Sequence, residues 1–302
     1  MRQLDEFSFA KEPGKELIKT CKKEAVTPRL SIVTPYYNSD KNLEQTFCCV
    51  VNQTFEEFEW IIVDDGSTDP KAQTALKNLA ERDGRIRLLC QKNQGQSVAK
   101  NYGIKNSRTD IIVFLDADDL IEPYYLEIVY RALAEHPGAA WSYTDLAGFG
   151  SQEYLWSKPF SAGRMTFNNT LVNAAAFRKS AIEDAGGFPE VAKHYDEDWA
   201  LYLKLLEKKY HPVHIPVIGF WYRRSDNGMQ QTVRRDENLR RESDAYIAQL
   251  AQKVDIHIKA EEYRGVLPED AIRSSYSRKE KILAGILSCR LGVKVVSAVY
   301  RR

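Results

Sequence analysis

The sequence has few cysteines and no arrangement of them that would hold a metal. Cys48 and Cys49 are adjacent and would point in different directions on a helix. An odd count also leaves no closed set of disulfides. We therefore expect reduced, buried thiols and a cytoplasmic protein. The five cysteines are Cys21, Cys48, Cys49, Cys90 and Cys289.

The sequence also lacks an excess of either charge and a long apolar run near its start. Its formal net charge is +1, which excludes a globally basic nucleic-acid-binding protein, so no nucleic-acid partner is expected. Residues 1–25 are lysine-rich without an extended apolar stretch. We expect neither a signal peptide nor a membrane span there.

Apolar runs and polar punctuation alternate along the chain in a way that predicts an α/β fold. Predicted strands at 30–34, 58–63, 86–90 and 111–115 are followed by helices at about 40–52, 70–82, 95–106 and 123–135. Four successive strand–helix units indicate a parallel sheet with right-handed crossovers.

The pattern changes after Gly138. Residues 140–177 predict a smaller mixed or antiparallel sheet that lines a cleft. Helices at about 178–185 and 197–209, strands near 213–217 and 219–223, and a charged helical region from residue 229 follow.

Three predicted strands end in carboxylates or other polar groups. The segments are SIVTPYYN at 31–38, IIVDDGSTD at 61–69 and IIVFLDADD at 111–119. Parallel strands bring such ends to one edge of the sheet, where α/β folds bind ligands. Carboxylates repel a bare phosphate, so this edge implies a divalent cation, hydrogen bonds to sugar and base, or both.

The DADD segment is the strongest single signal. Alternation places Asp116 and Asp118 on one side of the strand end, where a hard cation would relieve their repulsion. The alternative is an acidic cap for the helix at Pro123, which suits Asp119 but leaves Asp116 unexplained.

PYYN and DDGSTD have local interpretations as well. Pro35 is expected to end the first strand, Tyr37 to offer its ring to a planar base, and Asn38 to cap the next helix. The alternative is a plain strand-to-helix turn with a core tyrosine. In DDGSTD, Asp69 caps the following helix, which leaves one aspartate of the pair at 64–65 for a ligand.

Two helical segments carry further candidates. In NQGQSVAKNYG at 93–103, Gly95 permits close backbone approach, and Lys100 is a candidate nucleotide contact. The alternative is a helix that only packs on the sheet. In EDWALYLKL at 197–205, an apolar stripe follows acidic residues, and helix capping is the alternative role for at least one of them.

With these motifs in order, the chain resembles family 2 glycosyltransferases of the GT-A fold, from about residue 29 to residue 224. The motifs are PYYN, DDGSTD, NQGQSVAKNYG, DADD, GGF at 186–188 and EDWALYLKL. The resemblance implies a mostly parallel α/β sheet flanked by helices, a smaller mixed acceptor-side sheet and a helical C-terminal extension.

The resemblance also implies boundaries for these parts. We expect an N-terminal extension at 1–28, a catalytic domain at 29–228 and a helical, basic region at 229–302. The catalytic domain would divide into a nucleotide-binding half, 29–120, and an acceptor-binding half, 121–228.

The implied activity is metal-dependent transfer, with inversion, of one sugar from a nucleotide-sugar donor, favouring a UDP-sugar, to a hydroxyl of a glycan or lipid-linked acceptor. Asp198 would be the general base, Asp118 with Asp116 would hold Mg²⁺ or Mn²⁺, and Asp65 would contact uracil or ribose. The other implied nucleotide contacts are Pro35, Tyr37, Lys100, Asp116 and Arg224.

The sequence departs from many relatives in the loop after the last core strand, which reads WYRRSDNGMQQ from Trp221 and has no histidine. Arg223 or Arg224 would then contact the diphosphate, because a guanidinium matches phosphate bidentately. Solvated arginines are the alternative. We interpret His194, His211 and His214 as structural or solvated, with His194 also a weak acceptor-site candidate.

Two other functions compete. A catalytically inactive nucleotide-sugar-binding module would be expected to lack Asp118 or Asp198, and both are present. A dinucleotide-dependent oxidoreductase would carry GxGxxG after the first strand, where PYYN stands instead. The sequence is compatible with a homo-oligomer.

Residues 278–302 alternate basic and aliphatic side chains. Such a helix would lie at the inner face of the cell membrane as a peripheral contact, or it would pack on protein. No QxxRW motif is present, which argues against a processive enzyme.

If this tail binds membrane, the full-length protein should co-sediment with anionic liposomes at low salt and lose that binding at high salt, at about 1 kcal/mol per basic residue near the surface. A protein lacking 278–302 should not co-sediment. Equal, negligible sedimentation of both proteins would contradict the prediction.

Overall fold

The structure is a computed structural model that describes residues 26–171, 175–190, 196–225 and 236–267. The strands are β1 Leu30–Tyr36, β2 Phe58–Asp64, β3 Ile86–Cys90, β4 Ile111–Phe114, β5 Leu120–Ile121, β6 Trp141–Gly150, β7 Tyr154–Trp156, β8 Ala175–Arg178, β9 Pro212–Arg224 and β10 Glu261–Glu262. The helices are α1 Asp40–Val51, α2 Pro70–Ala80, α3 Gln96–Asn106, α4 Tyr125–Glu135, α5 Ala162–Met165, α6 Lys179–Asp184, α7 Glu197–Glu207 and α8 Glu237–Ala251.

The strands form one continuous sheet. Its order is β10-β9-β6-β8-β4-β1-β2-β3, with β5 paired to β9 and β7 paired to β6. The pairs β1–β2, β2–β3 and β1–β4 are parallel, as predicted, whereas β8 runs antiparallel to both β4 and β6. The mixed part predicted for 140–177 therefore exists, but it continues the parallel part rather than forming a separate sheet.

Helices cover both faces of the sheet, so the central strands are apolar on both sides. Ile32 and Ile62 belong to the core that includes residues of α1, α2 and α4. Their strand neighbours Val33 and Ile61 belong to a second core with residues of α3, α6, α7 and α8. Burying a large aliphatic side chain contributes roughly 1.5–3 kcal/mol, and this two-sided burial explains the uninterrupted apolar runs of the sequence.

Helix α3 lies unusually near the sheet because of Gly103. A Cβ at this position would lie 2.4 Å from Cγ1 of Val33 on β1. The absence of a side chain allows the helix backbone to approach the strand. This close contact fixes the position of Lys100, one turn earlier on the same helix.

Two expected strand boundaries are wrong. Strand β1 continues through Pro35 to Tyr36. Val33 accepts a bond from the Leu115 amide on the β4 side, so Pro35 also faces that side, beyond the last β4 residue Phe114. The missing proline N–H therefore costs no ladder hydrogen bond.

The second wrong boundary is the break expected near residue 218. Residues 212–224 form one strand, β9, whose pairing with β6 shifts on either side of Asp145. The shifts lie near Pro216 and Gly219, residues that favour a bulge, so the irregularity bends the strand without ending it.

The predicted burial of the cysteines holds in part. Cys48 and Cys49 are free and buried, but Cys90 is exposed. Cys90 ends the edge strand β3, where side chains meet solvent, so its predicted burial is wrong. Within the described ranges, no helix is long and apolar enough to span a membrane. Cys21, Cys289, His194 and the tail 278–302 lie outside the described residues, as does most of the expected N-terminal extension 1–28.

Candidate active site

The DADD segment turns directly after β4 at the carboxyl edge of the sheet. The Asp116 side chain is 35% exposed, Asp118 is half-buried and Asp119 is buried. Asp116 Oδ1 is nevertheless buried and has no hydrogen-bond partner within the described residues. The segment thus presents one carboxylate oxygen that the described chain leaves unsatisfied.

Arg223 on β9 braces this segment. Its backbone amide donates to Asp119 Oδ1 at 2.7 Å, and its Nε donates to the Asp118 carbonyl oxygen at 2.6 Å. Its Nη2 donates to Gln45 Oε1 at 2.5 Å, and its guanidinium lies over the Phe149 ring. These contacts assign Arg223 a structural role. Arg224 lies over the Tyr222 ring, at 5.5 Å from its centroid, and is partly exposed.

Asp65, at the end of β2, organises the loop that precedes α3. Its Oδ1 accepts from Gln91 Nε2 at 2.8 Å and from the Gln94 amide at 2.9 Å, while Oδ2 accepts from the Gly95 amide at 2.7 Å. Asp64 Oδ1 accepts from the Ser67 amide at 2.9 Å instead. Both carboxylates of the pair are thus engaged within the chain, so neither is simply left over for a ligand as the sequence suggested.

The predicted cap by Asn38 is wrong. The N-cap of α1 is Ser39, and Asn38 instead accepts hydrogen bonds at 3.0 Å from the Thr68 and Asp69 amides. Asn38 has a φ of +48°, which turns its side chain towards the GSTD turn. Asp69 caps α2 as expected, accepting from the Lys71 amide. Tyr37 remains 47% exposed beside this turn.

The ED pair opens helix α7. Glu197 is buried and Asp198 is half-buried, with Asp198 Oδ1 accepting from the Trp199 amide at 2.7 Å. Asp196, the N-cap residue, accepts a 2.6 Å hydrogen bond from Ser243 on α8. The base candidate therefore sits on a helical turn that a second helix holds in place.

Lys100 connects the two acidic motifs. Its side chain is 1% exposed, and Nζ lies 2.9 Å from Glu197 Oε1 and 3.7 Å from Asp116 Oδ1. The ammonium lies 5.3 Å from the centre of the Phe188 ring. This contact brings the β4 end and the α7 start, about 80 residues apart in the chain, to one point of the site.

Burial and neighbouring charges shift the pKa values of these ionisable groups. Burial, followed by the Asp116 carboxylate, raises the pKa of Asp118 to about 6. Burial, followed by Glu197, raises the pKa of Asp198, and Lys100 opposes that rise. Burial would lower the pKa of Lys100, but Asp116 and Glu197 outweigh it and raise that pKa. The site therefore concentrates negative charge that a cation would stabilise.

Residues 31–188, just over half of the chain, match the family described as Glycosyl transferase family 2. The chain belongs to this family. Two curated relatives illustrate the match. The O-antigen biosynthesis protein RfbC of Myxococcus xanthus is 35% identical over 158 residues, which are 50% of this chain and 12% of that protein. Glycosyltransferase GlyA of Streptococcus pneumoniae is 33% identical over 111 residues, which are 37% of this chain and 16% of that protein.

The chain thus spans a small part of these longer family 2 relatives. Solved structures show the GT-A fold. Residues 1–349 of S. aureus TarS in complex with UDP-GlcNAc match with a TM-score of 0.61 and 16% identity, over 85% of this chain and 70% of that one. Mannosyltransferase PcManGT of Pyrobaculum calidifontis in complex with GDP-Man and Mn²⁺ matches with a TM-score of 0.52 and 17% identity, over 78% and 76%.

The carboxylate oxygens of this site suit a divalent cation. In the described part of the chain, no three His, Cys, Asp or Glu side chains converge as a complete metal site. Asp116 Oδ1 nevertheless accepts no hydrogen bond within the described residues, its only described charged partner being Lys100 at 3.7 Å, and the pKa of Asp118 is raised, so both carboxylates could accept a cation. Magnesium is commonly held in this way, by one or two carboxylates plus substrate phosphates.

The sequence did not predict three contacts that support the site. Arg223 was considered only as a phosphate contact, and its part in bracing DADD depends on the pairing of β9 beside β5. Ser243 contacts Asp196 across 47 positions, and no motif marks it. Glu197 was recognised in the ED pair and Lys100 as a candidate nucleotide contact, but their ion pair was not predicted, because only the fold brings α3 and α7 together.

We predict that Asp118→Asn stabilises the ligand-free protein at pH 8. The folded-state pKa of Asp118 lies above its ordinary value, so stability falls as pH rises towards about 6 and stays reduced above it. Removing the charge should add about 1 kcal/mol, or roughly 2–4 °C in Tm, at pH 8 and little at pH 4. Thermal melts across pH test this, with exposed Asp244→Asn as the control. A lower Tm for Asp118→Asn at pH 8 would contradict the assigned repulsion.

Proposed function

We propose that this chain is an inverting glycosyltransferase that moves one sugar from a nucleotide-sugar donor to a hydroxyl of a glycan or lipid-linked acceptor. A UDP-sugar is the favoured donor, and Mg²⁺ or Mn²⁺ is the favoured cofactor. Family membership and the similarity to structures that contain UDP-GlcNAc, or GDP-Man and Mn²⁺, support a nucleotide-sugar donor.

The observation that carries the proposal is the meeting of the DADD strand end with the ED helix at Lys100. A transfer reaction needs a group that receives the acceptor proton near groups that manage the charge of the departing diphosphate. The proposed groups are Asp198, which follows Glu197 in the chain, and Asp118, two residues after Asp116, so each lies next to a carboxylate that the buried Lys100 ammonium contacts. The partly exposed Arg224 follows Arg223 as the last residue of β9, and it is the proposed diphosphate contact.

The donor nucleoside would lie over the β1 and β2 ends. Tyr37 is exposed there and offers a ring for stacking on the base. Asp65 Oδ2 accepts one described hydrogen bond, and a carboxylate oxygen has room for a second, from a base N–H or ribose hydroxyl. Pro35 lies in β1, two residues before Tyr37.

The proposed reaction is a single in-line displacement. Asp198 receives the proton of the acceptor hydroxyl as that oxygen bonds to the anomeric carbon, and the bond to the diphosphate oxygen breaks, so the configuration inverts. Asp118 and Asp116 would hold the cation, which when bound offsets the diphosphate charge. The raised pKa of Asp198 makes it a stronger base than an ordinary carboxylate and requires a pH high enough to ionise it.

A catalytically inactive nucleotide-sugar-binding module is the alternative. Such a protein would bind donor without turnover. A metal-supplemented screen of UDP-, dTDP- and GDP-sugars, with and without candidate acceptors, separates the two by measuring nucleotide release. Release above the no-enzyme rate supports transfer, while donor binding without release from any donor favours the inactive module.

We predict that Asp198→Asn lowers kcat by about 10² to 10⁴, the usual contribution of a general base. UDP affinity should remain near that of the wild type and Tm should not fall, because the amide keeps the carboxylate's shape and removes a charge that burial disfavours. The exposed Asp184→Asn serves as the control. Initial rates with the best donor, together with calorimetric UDP binding, provide the measurement. An unchanged kcat would remove Asp198 from the role of base.

A further inference from the structure

We infer that Lys100 is a positioning residue that holds the base-bearing turn of α7 against the carboxylate edge of β4, and does not contact the nucleotide. This inference rests on the proposed function. It replaces the nucleotide-contact role expected from the sequence.

The geometry separates Lys100 from any ligand. Its side chain is 1% exposed and its ammonium faces Glu197 and Asp116. Gly103 holds helix α3 close to the sheet, which keeps the Lys100 backbone near β1. The ammonium donates a 2.9 Å hydrogen bond to Glu197, and a nucleotide group could reach its other N–H groups only by entering a pocket in which the lysine side chain is 1% exposed.

The Lys100 ammonium fixes the position of Asp198 through its ion pair with Glu197. Glu197 and Asp198 are consecutive residues of the first turn of α7, so the ion pair fixes the backbone that carries Asp198. The other end of the turn is held by Ser243 at Asp196. Lys100 thus supplies the only described ionic contact that joins this turn to the DADD segment.

A second contact strengthens the link between α3 and the segment before α7. Asn101, the residue after Lys100, accepts from the Phe188 amide at 3.0 Å and donates to the Phe188 carbonyl at 3.0 Å. Gly187 has a φ of +66°, and a Cβ there would lie 2.8 Å from Asn101 Oδ1. The GGF motif therefore docks on α3, beside the Lys100 contact with the Phe188 ring.

Lys100→Met tests this role because it keeps the length and removes the charge. We expect kcat to fall by roughly 10- to 100-fold, as a small misplacement of a catalytic group does. Donor KM and calorimetric UDP affinity in the presence of Mn²⁺ should change less than about threefold, because the one proposed donor-site group that Lys100 contacts is Asp116, at 3.7 Å and without a hydrogen bond. Lys105→Met, on the exposed side of the same helix, is the matched control.

Lys100→Met also leaves Glu197 buried without a partner, which lowers Tm. The double variant Lys100→Met, Glu197→Gln removes both charges and should recover much of the lost Tm. Its kcat should stay low, since the link between α7 and β4 is still missing. Thermal melts and initial rates on the same preparations separate folding from positioning.

Three results would overturn the inference. A double variant that regains both Tm and wild-type kcat would reduce Lys100 to a stabilising role. A UDP affinity at least tenfold weaker in Lys100→Met would return it to a nucleotide contact, and a wild-type kcat in that variant would deny it any role. If the wild-type protein releases nucleotide from no donor, the proposed function fails and the inference fails with it.

Discussion

The site depends on holding several carboxylates close together at one edge of the sheet, although their mutual repulsion destabilises the folded protein. Asp116, Asp118 and Asp119 follow β4 directly, and Glu197 with Asp198 approaches from α7. Lys100 is the buried charge that lies between these groups. A buried ammonium is itself costly, and here its two carboxylate partners compensate for that cost while it relieves part of their repulsion.

Contacts elsewhere in the fold hold these charged groups in position. Gly103 lets α3 lie close enough to β1 for Lys100 to reach both partners. Arg223 fixes the turn after β4 from the neighbouring strand β9, and Ser243 fixes the start of α7 from α8. Ser243 and helix α7 both lie beyond the family 2 match, which ends at residue 188. The base-bearing turn is therefore held by a helix from a part of the chain that the family match does not cover.

Much of the fold was predictable from short-range patterns in the sequence. The four strand–helix units were predictable because apolar runs of four to seven residues stop at polar groups, and Asp69 was recognisable as a cap beside Pro70. The predicted end of β1 at Pro35 was wrong because the effect of a proline depends on which side of the strand is unpaired. The predicted break near Pro216 and Gly219 was wrong because a bulge and a strand end have the same local sequence signature. The pairing of Lys100 with Glu197 spans 97 positions, and no periodicity records such a contact.

We propose that the β4 end, Asp116 and Asp118, holds a cation and the diphosphate of a donor nucleotide. A crystal of the protein grown with UDP and Mn²⁺, measured for anomalous scattering from manganese, tests it most directly. We expect one anomalous peak within about 2.5 Å of an Asp118 or Asp116 carboxylate oxygen, next to the UDP phosphates. Bound UDP with no manganese peak at these carboxylates, or a peak at other residues, would contradict it.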